Sequence, residues 1–166
     1  MPVSTINTNR AVTYPGAVLQ VVSTTKTDTF STSSTTFVDI TGLSVSITPT
    51  SSTSKIMVFA VVTASTTGGN NAMIRLVRDS TAIAVGNADG SRVQGSSQLR
   101  ILDELAGLNF SVNFLDSPAT TSSTTYKVQF DMQSGGTGFV NRLANNADNS
   151  NFARTVSSIT VMEIAG

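Results

Sequence analysis

Histidine, cysteine and tryptophan are all absent from this 166-residue chain, and charge is scarce. Without His or Cys, Ser-His-Asp and Cys-His catalysis are excluded, as are disulfides and zinc sites of the usual kind. Charged residues make up 12% of the chain, against a norm of about 25%. The seven Arg and three Lys are scattered along its whole length. A phosphate-binding surface needs clustered cations, so no nucleic-acid partner is expected. No apolar run approaches the ~20 residues of a membrane-spanning helix, and residues 1–10 have no apolar core behind a basic start, as a secretory signal would. Neither export nor membrane insertion is expected.

What the chain does have is hydroxyls. Ser and Thr supply close to three residues in ten. Thr suits a pleated surface, and Ser gives turns and neutral polar cover. With 39% hydrophobic residues and little net charge, the chain is not of the disordered class. Its length suits one sizeable core and is too short for two ordinary domains.

The longest apolar run is Lys55 to Ala64, KIMVFAVVTA. Its Val, Ile and Phe content, between Ser/Thr-rich flanks, predicts a strand buried on both faces at the centre of a sheet. Leu43, Val45 and Ile47 alternate with Ser44, Ser46 and Thr48, the mark of a strand with one wet face. Ala72 to Gly86 reads as a hairpin turning at Asp79-Ser80. Further strands are predicted at Ala17–Val22, Leu108–Leu115, Tyr126–Met132, Phe139–Leu143 and Val156–Ile164. Gln98 to Ala106 has helical composition and predicts a short helix, with a strand through Leu99 and Ile101 as the alternative. Eight to ten short strands with regular turn signals predict an all-β, antiparallel β-sandwich of jelly-roll-like form. The division is an N-terminal arm and first strand over 1–23, then a single sandwich domain over 24–166.

Candidate chemistry is thin. The adjacent Asp103 and Glu104 are the obvious pair for a glycosidase, but two carboxylates at the end of a short element more simply face solvent. Asn87–Gly90 and Asn145–Asn151 carry oxygen ligands suited to Ca²⁺, without the order of a calcium motif, and Asn, Asp and Gly are ordinary turn residues. Gly68-Gly69 and Gly135-Gly136 precede no helix, which argues against a phosphate loop. Phe110, Phe114, Phe130 and Phe139 are expected in the core rather than on a sugar-stacking platform. No catalytic, metal or cofactor site is assigned. Arg75 and Arg78, within an apolar strand, face water or sit at a subunit contact, where Arg is enriched.

Several phrases, taken in order, carry a resemblance: TFSTSSTTFVDITGLSVSITPTSSTSKIMV, RLVRDSTAI followed by GSR, FLDSP, TTYKVQ, VNR and the ending SSITVMEIAG. From about Tyr14 onward the set resembles a domain recurrent in structural proteins of marine bacteriophages, including cyanophages, where it occurs in virion decorations and fibre-like appendages. The layout is also similar to the trimeric jelly rolls of the complement globular-head and tumour-necrosis-factor group. The helical composition of Gln98–Ala106 departs from both.

The resemblance implies a non-enzymatic virion protein. The scarcity of charge adds a physical reason for self-assembly, since an uncharged Val/Thr-rich sheet aggregates unless a defined partner covers it. The expectation is a homotrimer decorating or cementing a capsid, docked to the major capsid protein, or to a tail or fibre protein, through its arm. Tyr14, Pro15, Val18, Leu19, Arg75 and Arg78 are the candidate assembly residues. The alternative is a tail-fibre or receptor-binding head that recognises host surface glycan, with Asn145, Asn146, Asp148 and Asn149 as the candidate ligand loop.

Overall fold

A computed structural model describes residues 14–133 and 135–166. The expected arm over 1–13 lies outside them. Eleven strands follow one another and no helix occurs among the described residues. They are β1 (Val18–Lys26), β2 (Phe30–Thr32), β3 (Val38–Ile47), β4 (Lys55–Thr66), β5 (Asn70–Arg78), β6 (Thr81–Ile83), β7 (Ser97–Ile101), β8 (Leu108–Asp116), β9 (Thr124–Asp131), β10 (Gly138–Val140) and β11 (Ser157–Ile164).

Two antiparallel sheets pack face to face in a sandwich of jelly-roll-like layout. The larger is centred on β4. One side of β4 pairs residues 55–61 with β11 and then 64–66 with β10; the other pairs 56–64 with β8. β1 adds outside β11, and β2 outside β10. The smaller sheet runs β3-β9-β5, with β7 and then β6 along the far side of β5.

Alternation along the strands builds the core. From the larger sheet come Ile56, Val58, Ala60 and Val62, with Phe110, Ile159 and Val161; from the smaller, Leu43, Val45, Ile47, Ile74, Leu76, Tyr126, Val128 and Phe130. Phe110 and Phe130 meet edge to face across the layers, centroids 6.2 Å apart, the geometry aromatic rings prefer. On β3 the pairing slips between Asp39 and Ser44, where Gly42 takes a φ of +80°. Glycine adopts that conformation freely, and the bulge lets Ile40 and Leu43, three apart, both point inward.

Two sequence expectations are corrected here. Lys55–Ala64 is not buried on both faces: Ile56, Val58, Ala60 and Val62 face the core, while Phe59 and Val61 remain 37% and 38% exposed on the outside. The strand is central, but among the described residues nothing covers its outer side. Gln98–Ala106 is not a helix; the alternative, a strand through Leu99 and Ile101, is what forms. The first half of the segment is β7, hydrogen-bonded to the β5 edge with Leu99 opposite Ala72, and Leu102 and Leu105 are exposed in the turn that follows. An unpaired edge of β5 claims the backbone, and pairing of that kind overrides weak helical propensity.

Candidate functional site

On the outer face of the larger sheet, cross-strand register aligns Val21, Met162, Met57 and Leu115 in one row over β1, β11, β4 and β8. The next row is Ser23, Thr160, Phe59 and Asn113; the one after is Thr25, Ser158, Val61 and Ser111. At the other margin Ile164 lies beside Lys55 and Val18. Val21 and Leu115 are each more than half exposed. Among the described residues, Lys55 is the one charged side chain on this face of the four strands, and it is held to the Ser117 hydroxyl at 2.7 Å. With strands ~4.8 Å apart and ~3.3 Å of rise per residue, the face spans on the order of 400 Å².

Beneath it the polarity is reversed. The inner row Gln20, Glu163, Ile56 and Asp116 lies one residue away on each of the same strands. Glu163 is fully buried; Oε2 accepts from Gln20 Nε2 at 2.6 Å, and Oε1 from the Thr50 amide and hydroxyl at 2.7 Å each. Burial pushes its pKa up, but those hydrogen bonds outweigh burial and hold it at about 2. At the opposite edge Asp116 accepts both oxygens' bonds from Arg78 Nη1 (2.9 and 2.8 Å) and one from the Tyr126 hydroxyl at 2.7 Å. Burial first, and then the hydrogen bond to Asp116, raise the Tyr126 phenol far above its ordinary range.

The sequence-derived candidates divide between distant places. Tyr14, Val18 and Leu19 are exposed, and Val18 pairs with Ile164 at the margin of the apolar face. Pro15 and Leu19 line a cleft of about 250 Å³ together with Thr50, Ser54 and Ala165. The turn that carries them is stitched to the other end of the chain, Gly16 N donating to Ala165 O and Ala165 N to Ala17 O, both at 2.8 Å. Arg75 and Arg78 belong to the smaller sheet. Arg75 lies 4.3 Å over the Phe37 ring and donates to Gln129 at 2.7 Å, whereas Arg78 turns inward to Asp116. Asn145, Asn146, Asp148 and Asn149 are brought together around one cleft between β10 and β11. Asp103 accepts from the Leu105 amide and Glu104 from the Gly68 amide, so each carboxylate is engaged in shaping a turn.

Sequence reading missed Met57, Phe59, Val61, Leu115 and Met162 as a surface. The signal was there: a run apolar at both parities, within a sheet whose other strands alternate, has one face for the core and a second that needs its own cover. Glu163 was missed as well, because a single carboxylate in an apolar strand has no pattern of its own.

No family model matches the chain, and no curated protein matches it. Among solved structures it is similar to a chain of infectious bursal disease virus, Gt strain, at 16% identity and a TM-score of 0.46, covering 99% of this chain and 43% of that one. It is similar to the Gx strain at 14% and 0.40, covering 99% and 47%. Against the VP2 subviral particle of the same virus the values are 14% and 0.37, covering 88% and 41%. The chain spans less than half the length of each. At such scores no residue role or activity is transferred. The β-rich architecture expected for the chain is present; the marine-phage resemblance is one of sequence phrases and no comparison shows that family.

Proposed function

We propose that the protein is a non-enzymatic structural component of a virus particle, built to pack against further copies of itself. The observation that carries this reading is the apolar outer face of the larger sheet. A row of Val21, Met162, Met57 and Leu115, backed by Phe59 and Val61, lies within a face of ~400 Å² that it shares with Ser, Thr and Asn side chains, about half of the ~800 Å² that each partner gives a standard interface. Val18 and Leu19, exposed on β1, supply the opposing apolar side of the contact. A face with one cation and no carboxylate offers no charge pattern for selecting a differently charged partner, while it is self-complementary for another copy.

The assembly we favour is a homotrimer in which the β1 margin of one copy packs on the β4–β8 face of the next. A heterologous contact of that kind leaves no face open when its rotation closes into a ring, and a three-fold ring is the closure we favour. Residues 1–13 would then attach the trimer to a capsid protein, as decoration or cement; a tail appendage is the other location in keeping with the phage resemblance.

Light scattering on the purified protein tests this directly. The expected mass is three times the 17.3 kDa chain, and Phe59→Lys combined with Val61→Glu is expected to give a folded monomer. A wild-type protein that stays monomeric at micromolar concentration overturns the reading. Deleting residues 1–13 is expected to abolish attachment to particles and leave the oligomer intact.

A further inference from the structure

The segment between β10 and β11 is a pinned loop with a cleft of its own. Asn141, buried at a φ of +62°, donates through Nδ2 to the carbonyls of Lys26 (2.8 Å) and Asp28 (2.9 Å) and accepts from the Ser157 hydroxyl at 2.6 Å. The Thr155 amide returns to the Asn141 carbonyl at 3.2 Å and closes the base of the loop. Above that base is a cleft of about 230 Å³ lined by Asn145, Asn146, Asp148, Asn149, Phe152 and Arg154.

The amides are oriented before any ligand arrives. Asn145 Oδ1 accepts from the Ala147 amide at 3.1 Å, and Asn149 Oδ1 from the Asn151 amide at 2.9 Å. Each oxygen is directed at its own backbone, which leaves the Nδ2 donors of two lining residues without a partner among the described residues. Among the described residues, the Asn146 amide, the Asp148 carboxylate and the Arg154 guanidinium make no hydrogen bond or ion pair. Phe152 is half-buried and adds an apolar wall.

We infer that this cleft binds a single neutral sugar ring, such as a terminal hexose of a glycan. A ring hydroxyl is both donor and acceptor, so the ligand that satisfies this set offers several hydroxyls on a compact frame. The carboxylate accepts from a pair of neighbouring hydroxyls, the amide donors and guanidinium serve the remaining oxygens, and Phe152 meets the C–H face of the ring. The lining holds one carboxylate and one guanidinium, with Arg142 beyond the lining close enough to Arg154 for the two cations to repel, so an ionic ligand of either sign leaves a lining group facing its own sign. At ~230 Å³ the site falls below the roughly 300–1,000 Å³ of drug-sized pockets, which suits one ring and excludes an extended chain. A cation is disfavoured because two of the three amide oxygens are directed to backbone N–H groups, leaving Asp148 to hold it. The cleft is formed within one chain, so the inference is independent of the assembly state.

Saturation-transfer NMR on the full chain with methyl glucoside, galactoside and mannoside tests it. Transfer is expected from at least one neutral hexoside, with a dissociation constant in the millimolar range proper to a small open site. Asp148→Ala and Arg154→Ala should each weaken it about tenfold or more, and Asn146→Ala less. Asp89→Ala, in a different Asn/Asp/Gly loop, should leave it unchanged. No transfer from any of the three overturns the inference. So does transfer that survives both Asp148→Ala and Arg154→Ala, binding seen only with methyl glucuronide, or binding abolished by EDTA.

Discussion

The two outer faces of this sandwich follow opposite rules. On the smaller sheet the outward side chains find partners among themselves: Lys127 and Gln129 both donate to Asp39, at 2.8 and 2.6 Å, Arg75 donates to Gln129, and Ser46 bonds Thr125 at 2.8 Å. On the larger sheet Ser, Thr and Asn share the outer side with apolar residues, Ser23 bonding Thr160 at 2.8 Å, and it is the carboxylates that have moved inward. Glu163 and Asp116 lie under the face, and Val21, Met162, Met57 and Leu115 stand over it. A face of the first kind is complete in water. One of the second kind is complete only when its inner polar groups are satisfied from the opposite layer and its outer apolar groups are covered. The first condition is met by Gln20, Thr50, Arg78 and Tyr126; among the described residues nothing meets the second, which is the basis of the proposed self-assembly.

The sharpest way to break this comparison is to remove an inner polar group. Asp116→Ala strands Arg78 and the Tyr126 hydroxyl, which is fully buried. Removing one partner of a buried ionic network typically destabilises by several kcal/mol, and about 3 kcal/mol is expected here in urea unfolding. A loss below about 0.5 kcal/mol, the size of an ordinary surface change, would mean that the inner row is no more demanding than the outer face of the smaller sheet.

How much of this was legible beforehand follows from the same polarity. Leu43, Val45 and Ile47 alternate cleanly because the outside of their strand is wet, and β3 could be read from them directly. Along β4 both parities are apolar, so sequence gave the strand but not its sidedness. Burial on both sides and burial on one side with a partner on the other have the same one-dimensional pattern. The β7 segment shows the converse difficulty. The Leu and Glu content of Gln98–Ala106 favours a helix locally, and only the vacant edge of β5, distant in sequence, decides for a strand. Asn145, Asn146, Asp148 and Asn149 were recognisable as a loop, but their convergence on one cleft depends on Asn141, whose buried anchoring carries no local sequence mark.

A smaller effect sharpens the comparison at the other end of the inner row. Glu163→Gln keeps the shape but turns an acceptor into a group that also donates, facing the Gln20 amide and the Thr50 N–H and hydroxyl. About 1–3 kcal/mol of destabilisation is expected at pH 7. The pH dependence has a definite sign. The folded pKa is about 2, below the ~4.3 of an unfolded Glu, so the unfolded chain binds its proton first as pH falls. The stabilisation is present in full above ~4.3 and is lost progressively toward 2. Wild type and variant should therefore converge in chemical denaturation as pH is lowered across that window; a gap that stays constant would assign the effect to packing instead.

The smallest effect belongs to the face that is already complete. Asp39→Ala removes the acceptor shared by Lys127 and Gln129, in a pair whose side chains remain 25% and 51% exposed. Burial raises the Asp39 pKa, and the bonds from Lys127 and Gln129 more than offset it, so the carboxyl sits below its usual value. Its contribution is accordingly retained above pH ~3.9 and fades as the pH falls further. Solvent screening keeps such pairs near or below ~1 kcal/mol, so the loss in urea unfolding should stay under that and shrink again at high salt. The mass measured by light scattering should not change. If Asp39→Ala dissociated the oligomer while Phe59→Lys with Val61→Glu did not, the contact surface would belong to the smaller sheet, and the polar lacing there would be an interface instead of a finished exterior.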